Sequence, residues 1–87
     1  MFAATDAACE LLSEMLGQAE VPVDVAARFV IEDQKLSLKL DKERPGDSTF
    51  DHAGRTVLLV DQMVTDLLTG KTLDVQDSEG GPQLTLL

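Results

Sequence analysis

Residues 56–70 read Thr56-Val57-Leu58-Leu59-Val60-Asp61-Gln62-Met63-Val64-Thr65-Asp66-Leu67-Leu68-Thr69-Gly70. The first five are β-branched or apolar with no polar alternation, which predicts a strand covered on both faces, the most buried in the chain. Asp61 ends that run with a residue suited to cap a helix. Met63, Val64, Leu67 and Leu68 then recur at helical spacing until Gly70 stops the helix.

Upstream, Thr49 to His52 predicts a short strand, with Ala53-Gly54-Arg55 turning the chain into the buried one. Before it, Glu43-Arg44-Pro45-Gly46-Asp47-Ser48 is a polar loop with a Pro-Gly turn signal. Two alternating segments come earlier. Ala27, Phe29 and Ile31 share one face of Ala27–Glu32, and Leu36, Leu38 and Leu40 share one face of Leu36–Asp41, opposite Ser37, Lys39 and Asp41. Both predict half-buried strands, joined as a hairpin through Asp33-Gln34-Lys35. Gln18 to Asp24, with Pro22, reads as a linking turn. Thr5 to Gly17 predicts the first helix, capped by Thr5 or Asp6, with Ala8, Leu11, Leu12, Met15 and Leu16 on its apolar face.

Downstream, Thr72 to Asp77 and Gln83 to Leu87 are strand candidates joined by Ser78-Glu79-Gly80-Gly81-Pro82. The whole reads as an α+β, mainly β domain over residues 1–87, in the order α-β-β-β-β-α-β-β.

Composition narrows the function. Sixteen acidic residues against seven basic ones give a formal charge of −9 in 87 residues. Such a surface repels phosphate backbones and anionic membranes, so neither nucleic acid nor a membrane is an expected partner, and a basic protein suits the charge better. One cysteine builds neither a disulfide framework nor a cysteine-rich zinc site. An apolar fraction of 44% argues against disorder. With Phe2, Phe29 and Phe50 as the only aromatics, the core is aliphatic and lacks the aromatic walls of a deep ligand pocket. No apolar run reaches the length of a membrane span, and Met1-Phe2-Ala3-Ala4-Thr5-Asp6 lacks the basic region of a signal peptide, so a cytoplasmic location is expected.

The second half carries an ordered set of short motifs. Asp47-Ser48-Thr49-Phe50-Asp51-His52-Ala53-Gly54 leads to Val57-Leu58-Leu59-Val60-Asp61, then to Leu67-Leu68-Thr69-Gly70-Lys71-Thr72-Leu73-Asp74-Val75. This series resembles the HesB/IscA family, the A-type carriers of iron–sulfur cluster assembly, and the resemblance extends roughly from Thr5 to Leu87. It implies a β pseudo-barrel or two-layer sandwich with two short helices. Family carriers hold the cluster with one Cys in a Gly-rich loop between the first two strands and two more in a C-terminal Cys-x-Cys tail. Here the matching loop is Asp33-Gln34-Lys35 and has no Cys, and the tail is expected to be missing beyond Leu87. Cys9, inside the first helix, matches none of these positions. The chain resembles a short branch of the family with a degenerate cluster site.

Each chemically capable residue has a structural role that explains it. Cys9, among Asp6, Glu10 and Leu11, reads as an inert apolar residue near the core edge rather than a reactive thiol. His52 reads as a solvent-exposed or capping histidine beside a turn, with no nucleophile signature to accompany it. The carboxylates Glu32, Asp33, Asp41, Glu43, Asp47, Asp51, Asp61, Asp66, Asp74, Asp77 and Glu79 read as solvated charge, and Asp61 as a helix cap. Asp74-Val75-Gln76-Asp77-Ser78-Glu79 is a candidate for a weak surface divalent site, without calcium-loop spacing. The sequence therefore assigns no catalytic, cofactor-binding or metal-ligating residue and no cofactor, and no enzyme activity is expected. Two functions remain: a protein-interaction or scaffold domain, or a divalent-metal binder using carboxylates with His52 or a dimer-related Cys9. A homo-oligomer is compatible with either.

Overall fold

The computed structural model describes residues 2–87. The chain runs β1 (Ala3–Ala4), α1 (Asp6–Gln18), β2 (Val25–Glu32), β3 (Lys35–Lys42), β4 (Ser48–His52), β5 (Arg55–Val60), α2 (Gln62–Leu67), β6 (Thr72–Ser78) and β7 (Gly81–Leu86). The strands form two mixed sheets, β3-β2-β5-β4 and β1-β6-β7. This is the mainly β, two-helix architecture that the sequence implies, with one addition. The two residues of β1 pair in parallel with β6, Ala3 opposite Thr72 and Ala4 opposite Leu73. A two-residue strand has no alternation to read, so nothing in the sequence announced it.

Both helices start as their side chains dictate. Thr5 caps α1, its hydroxyl accepting from the Ala8 N–H at 3.2 Å, and the same hydroxyl donates to Asp74 Oδ1 on β6 at 2.9 Å. Asp61 caps α2, its Oδ1 accepting from the Val64 N–H at 2.9 Å. The α1 face that meets the core is Ala8, Cys9, Leu12 and Leu16, while Met15 stays 44% exposed. In α2 only Val64 is buried, joined by Leu68 at its C-cap; Met63 and Leu67 face outward, so its apolar face is narrower than the sequence spacing implied.

The core lies where α1 packs across both sheets. Val57, Leu58, Leu59 and Val60 of β5 are all fully buried. The β4–β5 pairing passes from Phe50 opposite Leu58 to Asp51 opposite Thr56, skipping Val57. That bulge lets neighbouring Val57 and Leu58 both join the one core cluster. The three phenylalanines meet edge to face, Phe2 lying 6.2 Å from Phe29 and 5.6 Å from Phe50 between ring centres.

Strand β2 departs from its sequence pattern. Ala26 and Arg28 are buried along with Ala27 and Phe29, because β2 is an inner strand covered on both faces. Strand β3 departs the other way. It is an edge strand, and Leu40 on its apolar face stays 55% exposed. The β2–β3 connection is tighter than expected: Glu32 pairs with Lys35, leaving the two-residue turn Asp33-Gln34 with both residues at positive φ. Ala53-Gly54 repeats that geometry between β4 and β5.

Candidate functional site

Cys9 belongs to the core rather than its edge, at 6% exposure on the inward face of α1. Burial pushes its thiol pKa up, and the charges of Asp6 and Asp51 push the same way. Each of these causes disfavours the thiolate, the form that attacks electrophiles or binds metal.

His52 ends β4 opposite Arg55 at the mouth of the Ala53-Gly54 turn and is half-buried. Asp51 is next to it in sequence, yet neighbouring strand residues point to opposite faces. Asp51 instead accepts a 2.9 Å hydrogen bond from the Thr56 hydroxyl. The stretch from Asp74 to Glu79 is no loop but mostly strand β6, so Asp74 and Asp77 are likewise turned apart. Asp74 Oδ1 is already engaged by the Thr5 hydroxyl and by the Val75 N–H at 2.8 Å. Among the described residues, no three His, Cys, Asp or Glu side chains converge where they would hold a metal ion.

The most organised polar constellation is one that sequence reasoning missed. Arg28, 4% exposed on β2, makes four hydrogen bonds. Nε donates to Asp41 Oδ2 at 2.8 Å on β3. Nη1 and Nη2 grip both oxygens of Asp47 at 2.8 and 2.6 Å, and Nη2 also reaches the Lys42 carbonyl at 3.1 Å. The loop that delivers Asp47 is built by its own sequence. Pro45 and Gly46, the latter at φ +88°, sit inside a turn closed by the Asp47 N–H donating to the Arg44 carbonyl at 3.1 Å. The Arg44 N–H returns a 2.7 Å bond to Asp47 Oδ2, and the Arg44 guanidinium reaches Asp41.

Hydrogen bonds from Arg28 and from the Arg44 amide hold the Asp47 carboxyl below the ordinary carboxylate range, against the opposing effect of burial. Asp41 is lowered first by the Lys42 amide and then by Arg28 and Arg44. Arg28 is held more firmly protonated, chiefly by Asp47. Each of the three Arg28 nitrogens donates to an acceptor within the protein, so the cluster staples β2, β3 and the β3–β4 loop. The sequence signal was faint: an Arg in a strand otherwise small and apolar, and an Asp directly after a Pro-Gly turn.

Shallow grooves lie elsewhere on the surface. One of about 210 Å³ runs between the C-terminal half of α1 and the β2–β3 hairpin, floored by Leu12, Leu16 and Ala27. Another, of about 330 Å³, separates edge strands β3 and β7 above Phe29. Both are apolar.

In sequence, the chain matches no established protein-family pattern and no curated protein. Its fold is the HesB/IscA-like fold of the A-type iron–sulfur carriers. The chain is similar to Escherichia coli SufA, a protein involved in biosynthesis of iron–sulfur clusters, with a TM-score of 0.69 at 20% identity, covering 99% of this chain and 83% of that one. It is also similar to IscA solved with a [2Fe-2S] cluster, with a TM-score of 0.65 at 16% identity over 100% and 84% of the two chains. A protein from Aquifex aeolicus gives 0.62 at 17% identity, over 99% and 89%.

Proposed function

We propose that this is a HesB/IscA-like domain that holds no iron–sulfur cluster and acts, without catalysis, through contacts with other proteins. The observation that carries the reading is the placement of Cys9. An iron–sulfur cluster is held by several thiolates, with His standing in only in special sites. Residues 1–87 contain one thiol, and it lies buried in the core with its thiolate disfavoured. The β2–β3 connection, where the family resemblance implies a ligand, is a two-residue Asp33-Gln34 turn with no room for a Gly-rich loop.

The fold thus keeps the scaffold of a carrier while its polar resources go to stability: Arg28 with Asp41 and Asp47, Thr5 with Asp74, and Asp61 at a helix cap. What is left for function is surface. Anaerobic incubation with ferrous iron and sulfide tests the reading. No cluster bound in fixed proportion to protein is expected, and a stable, stoichiometric visible chromophore overturns it.

A further inference from the structure

The charge of the molecule is unevenly placed. Helix α1 carries Asp6, Glu10 and Glu14 and no Lys or Arg, and the β6–β7 hairpin carries Asp74, Asp77 and Glu79 and no Lys or Arg. These two elements pack against each other. The cations lie elsewhere: Arg28, Lys35, Lys39, Lys42, Arg44 and Arg55 on the four-stranded sheet and its loops, and Lys71 ahead of β6.

Between α1 and the hairpin runs a groove of about 160 Å³, lined by Ala7, Glu10, Leu11, Glu14, Val75 and Pro82. Its floor is apolar, with Leu11 and Val75 half-buried, and its helix side is acidic. Glu10 and Glu14 are exposed, stand one helical turn apart, and take part in none of the ion pairs among the described residues. Asp77 lies directly across the hairpin from Pro82 and prolongs the acidic rim. Pro82 has no N–H to donate, which blunts the hairpin edge against pairing with an added strand.

We infer that this groove docks a basic amphipathic helix of a partner protein, one that lays an aliphatic face on Leu11, Val75 and Pro82 and sets Lys or Arg residues four apart against Glu10 and Glu14. The two carboxylates repeat at the i, i+4 period of a helix surface, which is the spacing a facing helix matches. Charge complementarity favours a cationic segment over an acidic one, and an apolar floor between the charges favours a folded helix over a purely electrostatic tail. This inference rests on the reading that the domain works through protein contacts.

The test uses the whole chain and a synthetic helical peptide of Lys and Leu, with its Glu-for-Lys counterpart as control. Amide spectra of the labelled protein are followed during titration. Saturable shifts centred on Ala7, Glu10, Leu11, Glu14 and Val75 are expected, absent with the acidic peptide. The Glu10→Lys/Glu14→Lys variant is expected to weaken binding by about tenfold. The Glu43→Lys/Asp66→Lys variant changes net charge equally at exposed positions away from the groove and is expected to weaken it less than about threefold. If the first variant unfolds, Glu10→Gln/Glu14→Gln takes its place with a smaller loss. Equal losses in both charge variants mean general attraction to an acidic protein and overturn the inference, as do shifts centred elsewhere or no saturable binding. Iron–sulfide loading is scored on a separate sample, so uptake of a cluster defeats the proposed function whatever the peptide does.

Discussion

Arg28 holds Asp47 in a two-pronged pair, Nη1 to Oδ1 at 2.8 Å and Nη2 to Oδ2 at 2.6 Å, with side chains only 5% and 2% exposed. A buried ion pair contributes little net stability over a well-packed apolar substitute, but breaking one leaves a stranded charge. Asp47→Asn is therefore expected to destabilise the fold by about 3–5 kcal/mol near neutral pH, measured by urea unfolding. A loss below about 0.5 kcal/mol contradicts the burial of the pair.

The same pair sets an acid limit. Asp47 and Asp41 both sit below the ordinary carboxylate range when folded. A lowered folded pKa contributes stability that is present above the unfolded value, about 3.9, and lost as pH falls through the folded value. The stability gap between wild type and Asp47→Asn should accordingly narrow as the pH falls below about 4. A gap that stays constant over that range argues against the charge pair as its source.

Cys9 gives a direct chemical readout. With the side chain in the core and its thiolate opposed by burial and by Asp6 and Asp51, the native protein should react with a thiol reagent far more slowly than the unfolded chain. Labelling at equal rates in buffer and in denaturant refutes this placement.

Two turns hold non-glycine residues in the left-handed region, Gln34 at φ 66° and Ala53 at φ 53°. Such residues cost about 1–2 kcal/mol each. Gln34→Gly and Ala53→Asn create Asp-Gly and Asn-Gly turns, the preferred pairs for this geometry, and each should raise the melting temperature. A fall in either case contradicts the hairpin assignment.

The cap and the buried strand are testable by truncation. Asp61→Ala should cost about 0.5–2 kcal/mol through the lost bond to the Val64 amide. Leu58→Ala, at a fully buried position, should cost about 2–5 kcal/mol. Losses near zero displace α2 and β5 respectively.

The elements were legible where one rule dominated. Val57–Val60 had no polar residue to contradict burial, and Asp61 and Thr5 stood where helix amides need acceptors. Face assignments were less legible, because alternation within β2 and β3 does not say which strand lies inside a sheet and which at its edge. Arg28, off the face shared by Ala27, Phe29 and Ile31, is buried, while Leu40, on the leucine face of β3, is exposed. The polar network escaped notice because Arg28, Asp41 and Asp47 are brought together only by the pairing of β2 with β3 and the turn at Gly46. Of the candidate site residues, Cys9 was placed near the core edge and lies within the core. The α1–hairpin groove depends on a packing between segments more than 60 residues apart, which no local pattern encodes.

The central claim is a carrier fold without a cluster, and iron and sulfide analysis after anaerobic reconstitution tests it most directly. The account predicts that, after desalting, the protein retains far less than one iron and one sulfide per chain and shows no visible absorption band. Retention of iron and sulfide in equal, integral amounts per chain or per dimer, with a stable visible spectrum, contradicts it.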